Sequence, residues 1–252
     1  MVVDDASGVP IQVWIDRIST VAEPTNTIVT FTFDDGRDGV YLRAKGLLDA
    51  QDWRATWAPI VDKVGVTNYM TLDQNKALLD SGWDPAVHAY DSSAHNNFDT
   101  IDDATAVQDM ILAKGWMRAN GFGPADAYLV PKGATYSSTA PSDTRDKMIR
   151  KLFYCARNTV TSVREMYAPG RPWNLRCYNP GNKSVATVEG IIDEAVTNKE
   201  WLILQLHDIP VTATSDPNDV TSANLSTLVT YIAGKSNTKV KSLAEVQATG
   251  AA

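Results

Sequence analysis

The stretch "TIVTFTFDDG" (residues 27–36) joins an apolar run to two adjacent aspartates and a glycine. Its first seven residues are all β-branched or aromatic, which predicts a strand over residues 27–33. Asp34 and Asp35 follow where that strand ends, although like charges repel and an apolar strand end solvates carboxylates poorly. We therefore expect another group to compensate the pair.

Strand-like and helix-like segments alternate along the rest of the chain. Predicted strands cover residues 54–60, 83–90, 127–131 and 201–209, and predicted helices cover residues 38–51, 72–82, 100–121, 143–152, 188–199 and 222–234. This alternation indicates an α/β fold in which helices cover a parallel sheet or barrel, and nearly seven units favour a barrel-like arrangement. No change in composition marks a linker, so a single domain is expected.

The composition argues against several kinds of partner. The chain has 252 residues, 44% of them hydrophobic, and a formal net charge of −7 without a run of Lys or Arg. This charge argues against nucleic acid or an anionic membrane, whereas a neutral polysaccharide is compatible with it. The absence of any 18-residue apolar stretch predicts that the chain does not insert into a membrane. Cys155 and Cys177 are predicted to be core thiols, with one disulfide as the alternative in an extracellular protein.

Polar residues recur at the predicted carboxyl ends of strands, where α/β folds gather their functional groups. These positions are Asp34 and Asp35, His88, the segment 131–133 (Pro-Lys-Gly), and His207 with Asp208. We expect them to meet at one rim of the sheet.

The chain contains three histidines, His88, His95 and His207, and each falls on a predicted strand end or on the loop beyond it. Two histidines and one aspartate supply the number of protein ligands that a catalytic metal site needs. A third histidine on another strand can then act as a general acid or base. The pattern therefore predicts metal-assisted chemistry at this rim.

Four segments carry a resemblance to a known family: "TFDDG" (32–36), "GWDPAVH" (82–88), "YLVPKGA" (128–134) and "LILQLHDI" (202–209). In this order they resemble the motifs of the polysaccharide deacetylases of carbohydrate esterase family 4, which share the NodB-homology fold. The resemblance covers about residues 27–247 and implies a distorted (β/α) barrel of about seven parallel strands. It implies one catalytic domain over residues 1–252, with residues 1–26 as a lead-in segment.

The resemblance also implies a reaction and the residues that perform it. Members of the family hydrolyse N-acetyl, or sometimes O-acetyl, groups of polysaccharides with a divalent metal, commonly Zn²⁺, with Co²⁺, Ni²⁺ or Mn²⁺ as alternatives. Asp34 matches the general base that activates a metal-bound water, and His207 matches the general acid that protonates the leaving amine. Asp35 and His88 match metal ligands.

Residues around the reacting groups are implied in the same way. The backbone N–H of Lys132, in the turn after Pro131, would hold the oxyanion, and Leu206 would line a pocket for the acetyl methyl group. Trp173 in "GRPWNLRCYN" (170–179) is a candidate pocket wall. No aspartate stands beside it to match the family residue that orients the acid histidine.

Two departures from the family pattern leave alternatives open. The second motif of the family places two histidines four positions apart, but "HAYDSSAH" (88–95) separates them by seven. His95, displaced by an insertion, is the expected third ligand, and Asp91 is the alternative. The family arginine that contacts the base is absent from the third motif, so Arg157 or Lys132 is expected to supply that cation.

Three functions are compatible with these residues: a metal-dependent N-deacetylase, an O-acetyl esterase on the same fold, and a catalytically impaired glycan-binding or phage tail module. The sequence looks most similar to deacetylase domains of actinobacterial phage tail proteins and of larger bacterial secreted proteins. This implies an extracellular or virion-associated protein that acts on an N-acetylated cell-wall or surface glycan. The first ten residues lack the pattern of a signal peptide, which a tail location would explain.

Overall fold

The computed structural model describes residues 25–123, 125–131, 143–159, 163–167, 169 and 171–249. Its strands are β1 (Thr27–Phe33), β2 (Thr56–Trp57), β3 (Asp84–Val87), β4 (Ala127–Leu129), β5 (Cys155–Arg157), β6 (Trp201–Leu206) and β7 (Thr238–Val240). Its α-helices are α1 (Lys45–Asp49), α2 (Leu72–Asp80), α3 (Ser92–Asn96), α4 (Asp103–Ala119), α5 (Asp143–Leu152), α6 (Val185–Asn198), α7 (Ser222–Ala233) and α8 (Leu243–Thr249). A π-helical turn (Val40–Ala44) precedes α1, and a 3₁₀ turn (Val61–Lys63) follows β2.

Strand β1 lies inside the sheet, between β2 and β6, and is buried along its whole length. Strand β6 pairs with it from Ile28–Trp201 to Phe33–Leu206. The other edge of β1 is shared, because β7 pairs with its first residues and β2 pairs with its last two. A run of β-branched and aromatic residues suits this position, since both faces of a central parallel strand are covered.

The strands follow the order β5-β4-β3-β2-β1-β6, and the sheet curls into a barrel. Residues 175–178 join its two edges, since Leu175 pairs with Arg157 of β5 and Tyr178 pairs with Leu204 of β6. Every strand pairing is parallel, so the carboxyl ends of the strands meet at one rim. The predicted α/β fold, a distorted barrel of about seven parallel strands, is confirmed.

The two faces of the sheet pack into separate apolar clusters. Val29, Phe31 and Phe33 point towards the helices and join the larger cluster. Ile28, on the opposite face of β1, belongs to a smaller cluster with residues of β4, β6 and α8. Because side chains alternate along a strand, Asp34 continues the face of Ile28, and Asp35 begins a turn beyond the strand.

Two local features differ from the sequence-based expectations. The predicted strand over residues 54–60 is reduced to β2, and helix α3 was not predicted. Asp91 is the N-cap of helix α3, and its carboxylate accepts hydrogen bonds from the N–H groups of Ser93 and Ala94. Five residues are too few to show a helical period, yet this short helix carries His95.

Cys155 and Cys177 are both buried free thiols, as the sequence favoured. None of the helices in the described part of the chain combines the length and the apolar content of a membrane span.

Candidate active site

A cleft of about 670 Å³ opens at the carboxyl ends of the strands. Five side chains named from the sequence line it: Asp34, Asp35, His88, His95 and His207. They come from the ends of β1, β3 and β6 and from helix α3. The parallel topology therefore brings together residues that lie up to about 170 positions apart in the chain.

The turn after β1 separates the two aspartates. Asp34 remains part of the sheet, because its N–H donates to the carbonyl of Leu206 over 2.8 Å. Asp35 and Gly36 then adopt left-handed backbone conformations with φ of 69° and 77°. Such a conformation is strained for a residue with a side chain, and it turns the Asp35 carboxylate towards the histidines.

Three ligand atoms converge beside this turn. The Oδ1 atom of Asp35 lies 3.3 Å from Nε2 of His88 and 3.3 Å from Nε2 of His95, and the two Nε2 atoms are 3.1 Å apart. In a tetrahedral zinc site, bonds of about 2.0–2.2 Å place neighbouring ligand atoms about 3.3–3.6 Å apart. The three side chains are buried, and their spacing fits a small divalent cation.

The hydrogen bonds of the histidines leave their Nε2 lone pairs facing one another. Nδ1 of His88 lies 2.5 Å from the carbonyl oxygen of Leu129, which accepts a hydrogen bond from it. Nδ1 of His95 lies 3.3 Å from Oδ1 of Asn96. With both imidazoles neutral, two bare nitrogens and one carboxylate oxygen point at the same space. A cation is the group that such an arrangement stabilises.

The pKa shifts of Asp35 and His95 also indicate that the cluster favours a cation. Burial disfavours the charge of Asp35, but its contacts with His88 and His95 and the nearby His207 hold the pKa of Asp35 well below the ordinary value. Burial would lower the pKa of His95, but the Asp35 carboxylate raises it above its usual range. The site therefore keeps a carboxylate ionised and attracts positive charge to its histidines.

Asp91, the alternative ligand, lies apart from this cluster. Its Oδ1 atom accepts hydrogen bonds from the backbone N–H groups of Ser93 and Ala94 over 2.8 and 3.0 Å. Among the described residues, the group that can hold a metal is Asp35, His88 and His95. The extra residues of "HAYDSSAH" thus form the start of α3, which returns His95 to His88.

Asp34 is held by a buried arginine. Nη2 of Arg157 lies 2.5 Å from Oδ1 and 2.6 Å from Oδ2 of Asp34, and Nε2 of Gln205 lies 3.3 Å from Oδ2. Burial would lower the pKa of Arg157, but the charge of Asp34 raises it. Of the two cations considered from the sequence, Arg157 contacts Asp34, and Lys132 lies outside the described residues.

His207 faces three carboxylates across the cleft. Its Nε2 lies 3.9 Å from Oδ2 of Asp34, and its Nδ1 lies 3.7 Å from Oδ2 of Asp35 and 3.9 Å from Oδ2 of Asp216. Asp216 was not singled out from the sequence. The only available signal was its place in the loop that follows β6, nine residues after His207.

The other residues named from the sequence occupy different surroundings. Pro131 is buried where β4 ends. Leu206 is fully buried in β6 and does not line the cleft. Trp173 does not line it either: its Nε1 donates to the carbonyl of Phe153 over 2.8 Å, and the Arg150 guanidinium covers its ring.

One wall of the cleft was missed by sequence reasoning. Arg37, Lys63 and Tyr69 line it, and the Arg37 guanidinium lies 4.5 Å from the centre of the Tyr69 ring. Apart from the three histidines, Tyr69 is the aromatic side chain among the described lining residues.

Comparisons with known proteins identify the family and the fold. A family model described as polysaccharide deacetylase matches residues 22–150. Similar solved structures include the carbohydrate esterase family 4 domain of a multidomain xylanase from the hindgut metagenome of Trinervitermes trinervoides, with a TM-score of 0.60 and 16% identity over 89% of this chain and 92% of that chain.

Two further structures have the same fold. The family 4 carbohydrate esterase from Streptomyces lividans has a TM-score of 0.58 and 17% identity, over 87% of this chain and 92% of that chain. A variant of peptidoglycan deacetylase PdaC from Bacillus subtilis has a TM-score of 0.58 and 11% identity, over 90% of this chain and 93% of that chain. No curated protein matches the sequence.

Proposed function

Because the chain belongs to the polysaccharide deacetylase family, we propose that it is a metal-dependent hydrolase that removes N-acetyl groups from a cell-wall or surface glycan. The observation that supports this most directly is the composition of the cleft. A three-ligand cluster, an arginine-held carboxylate and a histidine stand within 3.9 Å of their neighbours at one rim. These are the groups that hydrolysis of an unreactive amide needs.

Asp35, His88 and His95 would hold the metal, and Zn²⁺ suits a site of two imidazoles and one carboxylate. When bound, a divalent cation supplies Lewis acidity for the acetyl carbonyl and makes water a stronger acid. Co²⁺, Ni²⁺ and Mn²⁺ accept the same donor atoms.

Asp34 is the proposed general base. Asp34 precedes the ligand Asp35 in the chain but does not belong to the cluster of ligand atoms. Its two carboxylate oxygens instead accept hydrogen bonds from Arg157 and Gln205. The guanidinium keeps the carboxylate in one orientation at the edge of the cleft. From there Asp34 accepts the proton that the attacking water loses.

His207 is the proposed general acid. An amide nitrogen leaves poorly as an anion and needs a proton as the C–N bond breaks. The imidazole lines the cleft outside the cluster of ligand atoms, with its side chain 16% exposed, and it can therefore reach a bound substrate. Asp216 and Asp35 flank its Nδ1 atom.

Acetate release tests this function. The full chain is freed of metal, reloaded with Zn²⁺ or Co²⁺, and given N-acetylated chitooligosaccharide, peptidoglycan or O-acetylated xylan. We expect metal-dependent release of acetate from an N-acetylated glycan. Faster release from acetylated xylan would identify an esterase instead, and glycan binding without turnover under every metal would identify a binding module. An extracellular or virion-associated location is part of the same proposal.

A further inference from the structure

The segment that joins His88 to His95 is held by carboxylates from two other elements. Asp109, in the middle of α4, accepts hydrogen bonds from the backbone N–H groups of Tyr90 and Asp91. The distances are 3.0 Å from the Tyr90 nitrogen to Oδ2 and 2.9 Å from the Asp91 nitrogen to Oδ1. Two successive N–H groups of the segment therefore point at one side chain.

The next residue, Ser92, is held by a different element. Oδ2 of Asp62, in the 3₁₀ turn after β2, accepts hydrogen bonds from the N–H and hydroxyl of Ser92 over 2.9 and 2.7 Å. The backbone N–H of Asp62 donates to the carbonyl of Tyr90 over 3.0 Å. Residues 90–92 are thus bound by two other elements at the start of α3.

We propose that Asp109 and Asp62 are positioning residues for the metal site. By holding residues 90–92, they place His95 Nε2 against His88 and Asp35 before any metal binds. This inference rests on the proposed metal site at Asp35, His88 and His95. Neither Asp109 nor Asp62 belongs to the cluster of ligand atoms, so both act through the backbone of the segment.

The entropy lost on ordering a long segment between two ligands explains why Asp109 and Asp62 are needed to hold it. Ordering the backbone of each residue costs about 1–2 kcal/mol, and metal binding would have to supply this energy if the segment were loose. Carboxylates that accept backbone N–H groups order it in the folded protein instead. A preorganised ligand set binds its cation more tightly for the same contacts.

Burying the carboxylate of Asp109 costs desolvation free energy, which is unfavourable for a hydrogen bond with no other role. Its side chain is buried, and within the described residues it forms no ion pair. A buried carboxylate without a cation is tolerated only when its oxygens are well satisfied. Here the backbone N–H groups of Tyr90 and Asp91, between the two histidines, donate hydrogen bonds to the Asp109 carboxylate. The buried carboxylate is therefore stabilised only while this segment keeps the conformation that positions His95.

The experiment measures metal binding and amide hydrogen exchange of the full metal-free chain, without substrate. The variants are Asp109→Asn, Asp109→Ala, Asp62→Asn and Ser92→Ala. Asp80→Asn, which removes a charge from an exposed end of α2, is the matched control. Competition with a chelator gives the affinity for Zn²⁺, and the visible absorption of bound Co²⁺ reports the ligand geometry.

We expect slow exchange of the amides of residues 90–92 in the metal-free wild type. Asp109→Ala should weaken Zn²⁺ binding about 10–100-fold, as loss of groups that orient metal ligands generally does. Its amides at residues 90–92 should exchange rapidly until metal is added. Asp109→Asn, which keeps one oxygen acceptor, should lose less affinity, and Asp80→Asn should match the wild type.

Affinity within twofold of wild type in folded Asp109→Ala would overturn the proposal, as would rapid exchange of these amides in metal-free wild type. If Asp109→Ala does not fold, the graded losses in Asp109→Asn, Asp62→Asn and Ser92→Ala decide the question. A wild type that binds metal but releases no acetate would refute the proposed function alone. Wild-type activity with unchanged metal affinity in every variant would refute the positioning role alone.

Discussion

Nη2 of Arg157 lies within 2.6 Å of both carboxylate oxygens of Asp34, and the two side chains are 0% and 2% exposed. Removing one partner of a buried ion pair leaves the other charge buried and uncompensated, at a cost of about 3–5 kcal/mol. We therefore expect Arg157→Met to lower the free energy of unfolding by about 3 kcal/mol and to suppress acetate release. Chemical denaturation and an acetate assay measure the two effects.

The double variant Asp34→Asn/Arg157→Met is the control for this pair. Because it removes both charges, it should be more stable than Arg157→Met alone, although it stays inactive. Additive losses of stability in the double-mutant cycle would show that the pair is not energetically coupled.

Asp34→Asn and Asp35→Asn should impair different steps, the first turnover and the second metal binding. Asp34→Asn removes the proposed base and should lower acetate release at least about 100-fold while Zn²⁺ still binds. Asp35→Asn removes a ligand charge from the cluster and should weaken Zn²⁺ binding itself. Metal content after dialysis and acetate release are measured on the same samples. Wild-type turnover in Asp34→Asn would show that the assigned base is wrong.

His207→Ala should distinguish amide hydrolysis from ester hydrolysis. An alkoxide leaves more readily than an amide anion, so loss of the acid should slow release from an N-acetylated glycan more than from an O-acetylated one. Asp216→Asn should give a smaller loss with the same preference, since Asp216 lies 3.9 Å from Nδ1 of His207. Rates on paired substrates provide the measurement. Equal losses on both would argue against proton donation by His207.

Gly36 should tolerate no side chain. It has φ of 77°, and a Cβ atom there would lie 2.9 Å from Cα of Pro59. Gly36→Ala should therefore lower the free energy of unfolding by about 1–3 kcal/mol and reduce metal affinity by displacing Asp35. Gly46→Ala is the matched control, because nothing lies within 4 Å of its added Cβ and α1 should gain roughly 0.5–1 kcal/mol.

Asp84 should make stability depend on pH at the opposite end of the barrel. Its Oδ2 accepts hydrogen bonds from Ala244 N–H and the Thr56 hydroxyl over 2.9 and 3.1 Å, and burial raises the pKa of Asp84 to about 6. A pKa raised on folding means that the folded state binds the proton more tightly. The contribution of Asp84 to the free energy of unfolding is therefore fully present below about pH 4, and it is lost as the pH rises through about 6.

The matching experiment compares unfolding free energies of wild type and Asp84→Asn between pH 4 and pH 7. The advantage of wild type should grow by up to about 3 kcal/mol as the pH falls across this range. Asp99→Asn, an exposed carboxylate, should show no such change relative to wild type. A constant difference between wild type and Asp84→Asn would contradict the prediction.

Local patterns were sufficient for most of the fold. The strand predicted over residues 27–33 is β1, and the helix predicted over residues 143–152 is α5, with the same bounds. Both have enough residues to display a period of two or of 3.6. The five residues of α3 do not, so the helix that positions His95 could not be recognised from its sequence.

Contacts between distant residues were harder to predict. Arg157 stood as one of two candidate cations for Asp34, and 123 positions of chain separate the partners. Asp216 could not be recognised from the sequence, because a single aspartate in a polar loop is usually a solvated surface charge. The same holds for Asp109, whose hydrogen bonds to residues 90 and 91 depend on how α4 packs against β3.

Three properties follow from the amino-acid sequence alone: the alternation of strands and helices, the two carboxylates after β1, and the three histidines near predicted strand ends. These properties are local, since hydrophobic period and turn residues act within a few positions. Which of these groups come into contact depends on the folded chain: Asp35 contacts His88 and His95, and Asp34 contacts Arg157. Only the closure of a parallel barrel brings separate strand ends within hydrogen-bond distance, and that distance determines whether a charge is a ligand, a base or a partner.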